Sequence, residues 1–305
     1  MTFSVKENQE GMLLREFLKE ECAVSHNLLV KLKKLPDGIL LNGERVTVRA
    51  VIHSGDTVTV KAEDSALSVN PLVVPEGEMP EILFEDEALL VVNKPGGMPT
   101  HTSHGHTLDS LANRVCAYYE KNGIPFVFRA INRLDKDTSG VVLIAKNAFY
   151  AAKLSKAQRS GDFEKKYLAV LDGETLKSGK IEGYIKREEK SIIKRSFSLF
   201  PSDGADYSLT EYKTVETKNG VSLAEIEIKT GRTHQIRVSF ASLGTPVLGD
   251  TLYGRESTLI DRQALHSVSL SFTSPLSGER QTVSAPLPKD MRDVIARCEI
   301  DIADF

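Results

Sequence analysis

The chain has 305 residues, 41% hydrophobic and 27% charged, with a formal net charge of −3. At roughly 150 residues per domain this predicts about two globular units, with enough chain to bury a core. No run approaches the ~20 apolar residues of a membrane helix, MTFSVKENQEGM lacks an apolar signal core, and three cysteines are too few for a disulfide framework or a zinc ribbon, so membrane-spanning and secreted classes fit poorly and the expected setting is the reducing cytoplasm.

In chain order, Leu14, Phe17, Leu18 and Cys22 recur at helical spacing. Ser25 is placed to cap a second helix carrying Leu28, Leu32 and Leu35 on one face. Asn42-Gly43 is a hairpin signal, and Thr57 to Lys61 reads as a further strand. Residues 1–62 therefore form a small α+β module. The stretch 63–80, with Pro71, Pro75 and Pro80, reads as a linker. Over 81–305 the expected strands are Ile82–Phe84, Ala88–Asn93, Val141–Ala145, Tyr167–Leu171, Ser208–Val215, Leu223–Ile228 and Ser267–Phe272. The expected helices are Leu108–Asn122, Ala148–Arg159, Thr233–Ser242 and Lys289–Cys298. Without regular βαβ alternation, this is an α+β domain with a mixed, largely antiparallel sheet.

Three segments carry candidate chemistry. Asn132 to Gly140, NRLDKDTSG, is a polar turn before the apolar run VVLIA. A carboxylate there, Asp135, with Arg133 two residues away, is a candidate nucleophile or base, although the composition also fits an Asx-rich turn without chemistry. In TGRTHQIRV, Thr233 is placed to cap a helix carrying His234 and Gln235, with Arg232 and Arg237 near its start. That pattern fits an anion or carboxylate site, or a solvated basic helix. In FEKKYLAV, strand alternation puts Lys165 and Tyr167 on one face and Lys166 on the other. HTSHGH, His101 to His106, lacks a clean metal-ligand spacing, so no metal is assigned.

Taken in order, these pieces resemble the RluA-type pseudouridine synthases. The central motif is Arg133-Leu134-Asp135, two residues, then Thr138-Ser139-Gly140. Around it stand the Lys94-Pro95-Gly96-Gly97 loop, Lys165 with Tyr167, TGRTHQIRV, Gly249-Asp250, Tyr253-Gly254 and the Leu265-His266-Ser267 run. Asn132 and Ser239 depart from the family pattern, which has histidine at both places. Residues 1–62 resemble an S4 RNA-binding domain, with Lys31, Lys33, Lys34, Arg45 and Arg49 as backbone contacts. Its nine basic residues against eight acidic through Lys61 require a local patch.

The resemblance implies a pseudouridine synthase fold and the isomerisation of uridine in RNA, with no cofactor. Large-subunit ribosomal RNA is the favoured substrate, and transfer RNA stays open. It implies no membrane partner and, by default, a monomer. Asp135 is then the essential carboxylate and Arg237 its salt-bridge partner. Tyr167 packs on the target uracil and relays the proton leaving C5. Arg133 enters the space left by a flipped-out uridine or binds its phosphate, and Lys165, Arg232, His234 and Gln235 contact substrate. Two rivals are a non-catalytic assembly factor on the same fold, and a glycoside-cleaving enzyme pairing Asp135 with Asp137 or Asp250.

Overall fold

A computed structural model describes residues 1–22, 24–61 and 70–301. Residue 62 and the first part of the expected linker, 63–69, lie outside the described residues.

In the N-terminal module, α1 (Leu14–Glu20) buries Leu14, Phe17 and Leu18. The Ser25 hydroxyl accepts from the Leu28 N–H and starts α2 (His26–Leu32). That helix stops at Leu32, so Leu35 lies beyond it and is exposed, contrary to the expected helical face. Asn42 and Gly43 both have positive φ, at 51° and 82°, as a type I′ turn requires. They join β2 (Ile39–Leu41) to β3 (Glu44–Arg45). With β1 (Thr2–Ser4) and β4 (Thr57–Val60) these make an antiparallel sheet in the order β1-β4-β2-β3.

The rest of the described chain builds a ten-stranded sheet. Its strands are β5 (Ile82–Glu85), β6 (Leu89–Lys94), β7 (Ser139–Ala145), β8 (Glu164–Asp172), β9 (Ser178–Arg187), β10 (Arg195–Ser198), β11 (Asp206–Lys218), β12 (Val221–Ile228), β13 (Leu265–Thr273) and β14 (Arg280–Ser284). The order is β10-β9-β11-β12-β8-β13-β7-β6-β5, with β14 on β13. Among the described residues only β13 and β7 pair in parallel, in line with the mixed, largely antiparallel expectation. The helices are α3 (Leu111–Lys121), α4 (Ala148–Arg159), α5 (Gln235–Ser242) and α6 (Lys289–Arg297). Ser110 caps α3 and Asn147 caps α4, each side chain accepting from the N–H three residues on.

All seven residues of β7 are buried. Val141, Leu143 and Ala145 join one hydrophobic cluster, and Val142 and Ile144 join another. Period-two alternation thus makes β7 a shared wall between two cores. The first cluster also holds Val5, Leu14, Phe17 and Leu18, so the N-terminal module packs directly on the larger domain. The Phe3 and Phe149 rings lie 5.5 Å apart across this contact.

Strands β9, β10 and β14 are not among those expected from the sequence. In β9, a Cβ on Gly179 would meet the Tyr212 ring at 2.7 Å, and one on Gly183 would meet the Phe197 ring at 2.5 Å. Glycines that disfavour a strand in isolation here make room for aromatic neighbours.

Candidate active site

Asp135 sits in a turn closed by the Thr138 N–H donating to the Asp135 carbonyl (3.1 Å), directly ahead of β7. The turn is fastened at almost every residue. The buried Asn132 amide donates to the Val141 carbonyl (2.9 Å) and accepts from the Leu143 N–H (2.8 Å), bracing the approach to the turn against β7. The Thr100 hydroxyl donates to the Leu134 carbonyl, Arg262 to the Asp137 carbonyl, and the Gln263 amide to the Thr138 hydroxyl, each at 2.8 Å. At Gly140, φ is +114° and a Cβ would fall 2.2 Å from the Ser267 carbonyl, so only glycine lets β13 approach β7 there.

Lys94, fully buried, reaches under the turn. Its ammonium donates to the carbonyls of Pro95 (2.9 Å), Met98 (2.7 Å) and Lys136 (3.0 Å). Burial pulls its pKa down to about 7, while three acceptors match the three donors of the charged form. Arg262 is held in turn by Asp290 of α6, through Nε (2.6 Å) and Nη2 (3.0 Å).

The Asp135 carboxylate, 26% exposed, accepts from Arg237 Nη1 at 3.1 Å. Arg237 is itself buried, and its other edge is clamped by Asp250, with Nε at 2.6 Å from Oδ2 and Nη2 at 2.9 Å from Oδ1. Asp250 also accepts from the N–H groups of Leu252 and Tyr253. Burial opposes the Arg237 charge, but hydrogen bonds and charge from Asp250 and Asp135 outweigh it and hold its pKa above the usual value. The guanidinium therefore stays charged and presents one fixed N–H edge to Asp135.

His234 completes this wall. It has φ +58° and is the N-cap of α5, which begins at Gln235; Thr233 does not cap the helix as expected. The Tyr253 hydroxyl accepts from the Arg195 N–H (2.8 Å) and shares a hydrogen bond with His234 Nδ1 (2.9 Å). The His234 Nε2 faces Asp135 Oδ2 at 3.9 Å. Burial lowers the His234 pKa, which favours the neutral ring.

Asp135, Arg133, Lys165, Tyr167, Arg232, His234, Gln235 and Arg237 all line one cavity of about 480 Å³. Lys165 and Tyr167 enter it from the same face of β8, while Lys166 lines a different surface, as the alternation predicts. Tyr167 is 6% exposed, and burial raises its pKa, so the phenol stays protonated. Burial likewise lowers the Lys165 pKa.

The cavity residues divide by how their polar atoms are engaged. Arg133 is exposed at the rim. Arg232 is turned outward, with Nε donating to the Tyr207 carbonyl (2.9 Å) and Nη1 3.7 Å from Asp206. Gln235 is buried with its amide fully used: Oε1 accepts from the Thr230 hydroxyl and Arg232 N–H, and Nε2 donates to Leu209 and Thr210. It braces the loop before α5 and has no amide position left for a substrate contact. Lys31, Lys33, Lys34, Arg45 and Arg49 lie on the N-terminal module, outside the residues that line this cavity. Sequence reasoning did not foresee the bracing by Lys94, Arg262 and Gln263, or the clamp of Asp250 on Arg237. The only signals were a buried-type run around a lone charge and the Gly249-Asp250 turn, neither of which names a partner.

With this geometry in view, the comparisons are consistent along the chain. The RNA pseudouridylate synthase family matches residues 88–242. The uncharacterized RNA pseudouridine synthase YjbO of Bacillus subtilis strain 168 is 38% identical over 93% of this chain and 98% of its own length. Ribosomal large subunit pseudouridine synthase D of Xanthomonas campestris is 32% identical over 87% of this chain and 82% of its own. The solved structure of human RNA pseudouridylate synthase domain containing 1 superposes with a TM-score of 0.56 at 27% identity, covering 68% of this chain and 84% of that one. Identity that runs from the N-terminal module through the last strands, and not only across the cavity, makes this chain a member of the RNA pseudouridine synthase family, of the RluA type.

Proposed function

We propose that this enzyme isomerises specific uridines to pseudouridine in large-subunit ribosomal RNA in the cytoplasm, using Asp135 as its essential carboxylate and no cofactor. The observation that carries the reading is the chain Asp250–Arg237–Asp135. A guanidinium locked on one edge by a buried carboxylate offers its other edge to a carboxylate that reaches into the cavity.

Isomerisation breaks the bond from uracil N1 to ribose C1′, turns the base and joins C5 to C1′. The C5 proton leaves and N1 regains one, so nothing is oxidised. An ionised Asp135 held by Arg237 serves either as nucleophile at C1′ or as base at C2′. Tyr167, buried and protonated, supplies a flat wall for uracil and an O–H for relaying the C5 proton. Arg133 at the rim fills the gap left by the extruded base or binds its phosphate.

Residues 1–62 act as an S4-like RNA-binding module ahead of a linker, 63–80, and a catalytic domain, 81–305. Lys31, Lys33, Lys34, Arg45 and Arg49 are all exposed. Arg45 Nη2 donates to the Lys33 carbonyl (3.3 Å), which brings β3 and the end of α2 to one basic face.

The test is release of tritium from C5-labelled uridine in RNA from cells lacking the gene. The native chain is expected to release it, and Asp135→Asn to lose about 10³-fold or more of that rate while keeping RNA affinity. Release by Asp135→Asn near the native rate overturns the catalytic assignment. RNA binding by the native chain without release would favour the assembly-factor reading.

A further inference from the structure

A second cavity, of about 1050 Å³, opens between the N-terminal module and the larger domain. One wall is α1 and the start of α2, and the other is α4 with Arg129. Arg15, Lys19, Arg129, Lys156 and Arg159 line it, against only two carboxylates, Glu16 and Glu20. Arg15 and Glu16 sit 3.7 Å apart with both side chains about half exposed, a weak pair. Lys19, Lys156 and Arg159 are exposed, and among the described residues none of them forms an ion pair.

The two cavities are lined by neighbouring stretches of the chain. Ala130, Ile131 and Gln158 line the Asp135 cavity, while Arg129, Lys156 and Arg159 line the crevice. The boundary is a fixed edge, because the Ala145 N–H donates to the Arg129 carbonyl (2.9 Å) and the Ile131 N–H to the Leu143 carbonyl (2.8 Å). Residues 129–131 and the last turn of α4 thus contribute to both openings, with Arg133 lining one and Lys156 and Arg159 the other.

We infer that this crevice carries the RNA strand flanking the target uridine, from the Asp135 cavity to the N-terminal module. Cations spread along both walls, with Lys19 on one and Lys156 and Arg159 on the other, match a ligand with a charge at every residue. A single phosphate would need them converging on one point, and an apolar partner would need a dry lining. A uridine extruded into the Asp135 cavity leaves its neighbours at the cavity mouth, and the crevice is lined by the residues next along the chain, Arg129, Lys156 and Arg159. The inference deepens the proposed function and rests on it for the identity of the strand.

The experiment compares Lys19→Ala/Lys156→Ala/Arg159→Ala in the full chain with a control of equal charge loss, Lys121→Ala/Lys177→Ala/Lys213→Ala. The probe is protein-free large-subunit ribosomal RNA, with binding measured across a salt series. Removing three cations that neutralise phosphates of a single strand makes the slope of log affinity on log salt shallower by about 2. Affinity near 0.1 M salt is expected to fall about tenfold or more relative to the control. Affinity and slope equal to the control overturn the inference, including the case in which an acidic protein segment is the true occupant. Tritium release by the native chain on the same RNA separates the two claims. Binding without release defeats the isomerase reading, while the salt slope still decides the crevice.

Discussion

The Asp135 turn and the basic face of the N-terminal module both present charged groups, and they do so in opposite ways. Around Asp135, Asn132, Thr100, Lys94, Arg262 and Gln263 tie down backbone and side-chain atoms, and Arg237 is clamped by Asp250 before it meets the carboxylate. On the module, Lys31, Lys33, Lys34, Arg45 and Arg49 stand in solvent, and the Arg45 guanidinium donates to a backbone carbonyl. In the proposed reaction, chemistry at one carbon needs a carboxylate fixed to within a fraction of an ångström, and buried polar groups hold Asp135 that firmly. Backbone recognition needs only charge within the reach of a phosphate, and mobile lysines suffice.

The sharpest way to break this contrast is to loosen the rigid side. Asp250→Ala leaves Arg237 buried with one partner fewer, and breaking a buried pair costs about 3–5 kcal/mol. We expect kcat to fall about 10²-fold or more with RNA affinity kept. Asp250→Asn retains the size and one acceptor and carries the same test if the alanine variant does not fold. A kcat within about twofold of native for a folded variant would mean that Arg237 is not positioned by Asp250.

Thinning the solvated side should act differently. Lys33→Ala/Lys34→Ala/Arg45→Ala is expected to weaken RNA binding several-fold and flatten its salt dependence by about 2 in slope, with the effect in KM rather than kcat. A fall in kcat at saturating RNA would show that the module shapes the active site. Deleting the module is the poorer experiment, since Phe3 and Leu14 share a core with Phe149 and Leu143, and removal would strip that core open.

The smallest effect lies beneath the turn. His266, fully buried, has Nδ1 2.9 Å from the Ser139 hydroxyl. Burial drives its pKa from 6.5 to about 4. Between those values the unfolded chain binds a proton that the native state does not, so stability falls as pH drops through that window, by up to about 3 kcal/mol. His266→Gln should flatten this part of the pH–stability curve in denaturant titrations. An unchanged pH dependence would show that the imidazole titrates normally.

The sequence by itself determined a great deal. Period-two and helical spacing marked out most of the strands and helices, Asn42-Gly43 marked its turn, and alternation in β8 put Lys165 and Tyr167 together. The ordered motifs pointed to one family and to Asp135. These are local properties or fixed spacings, and a linear reading reaches them. Tertiary structure alone decided that Asp250 grips Arg237, that Lys94 and Arg262 hold the Asp135 turn from below, and that Gln235 is a brace. It also formed β9 around two glycines and moved the start of α5 past Thr233 to a left-handed His234. Several of these depend on partners distant in sequence, such as the 125 residues separating Asp137 from Arg262. The free energy of a buried polar group is set by what finally surrounds it, which the order of residues does not state.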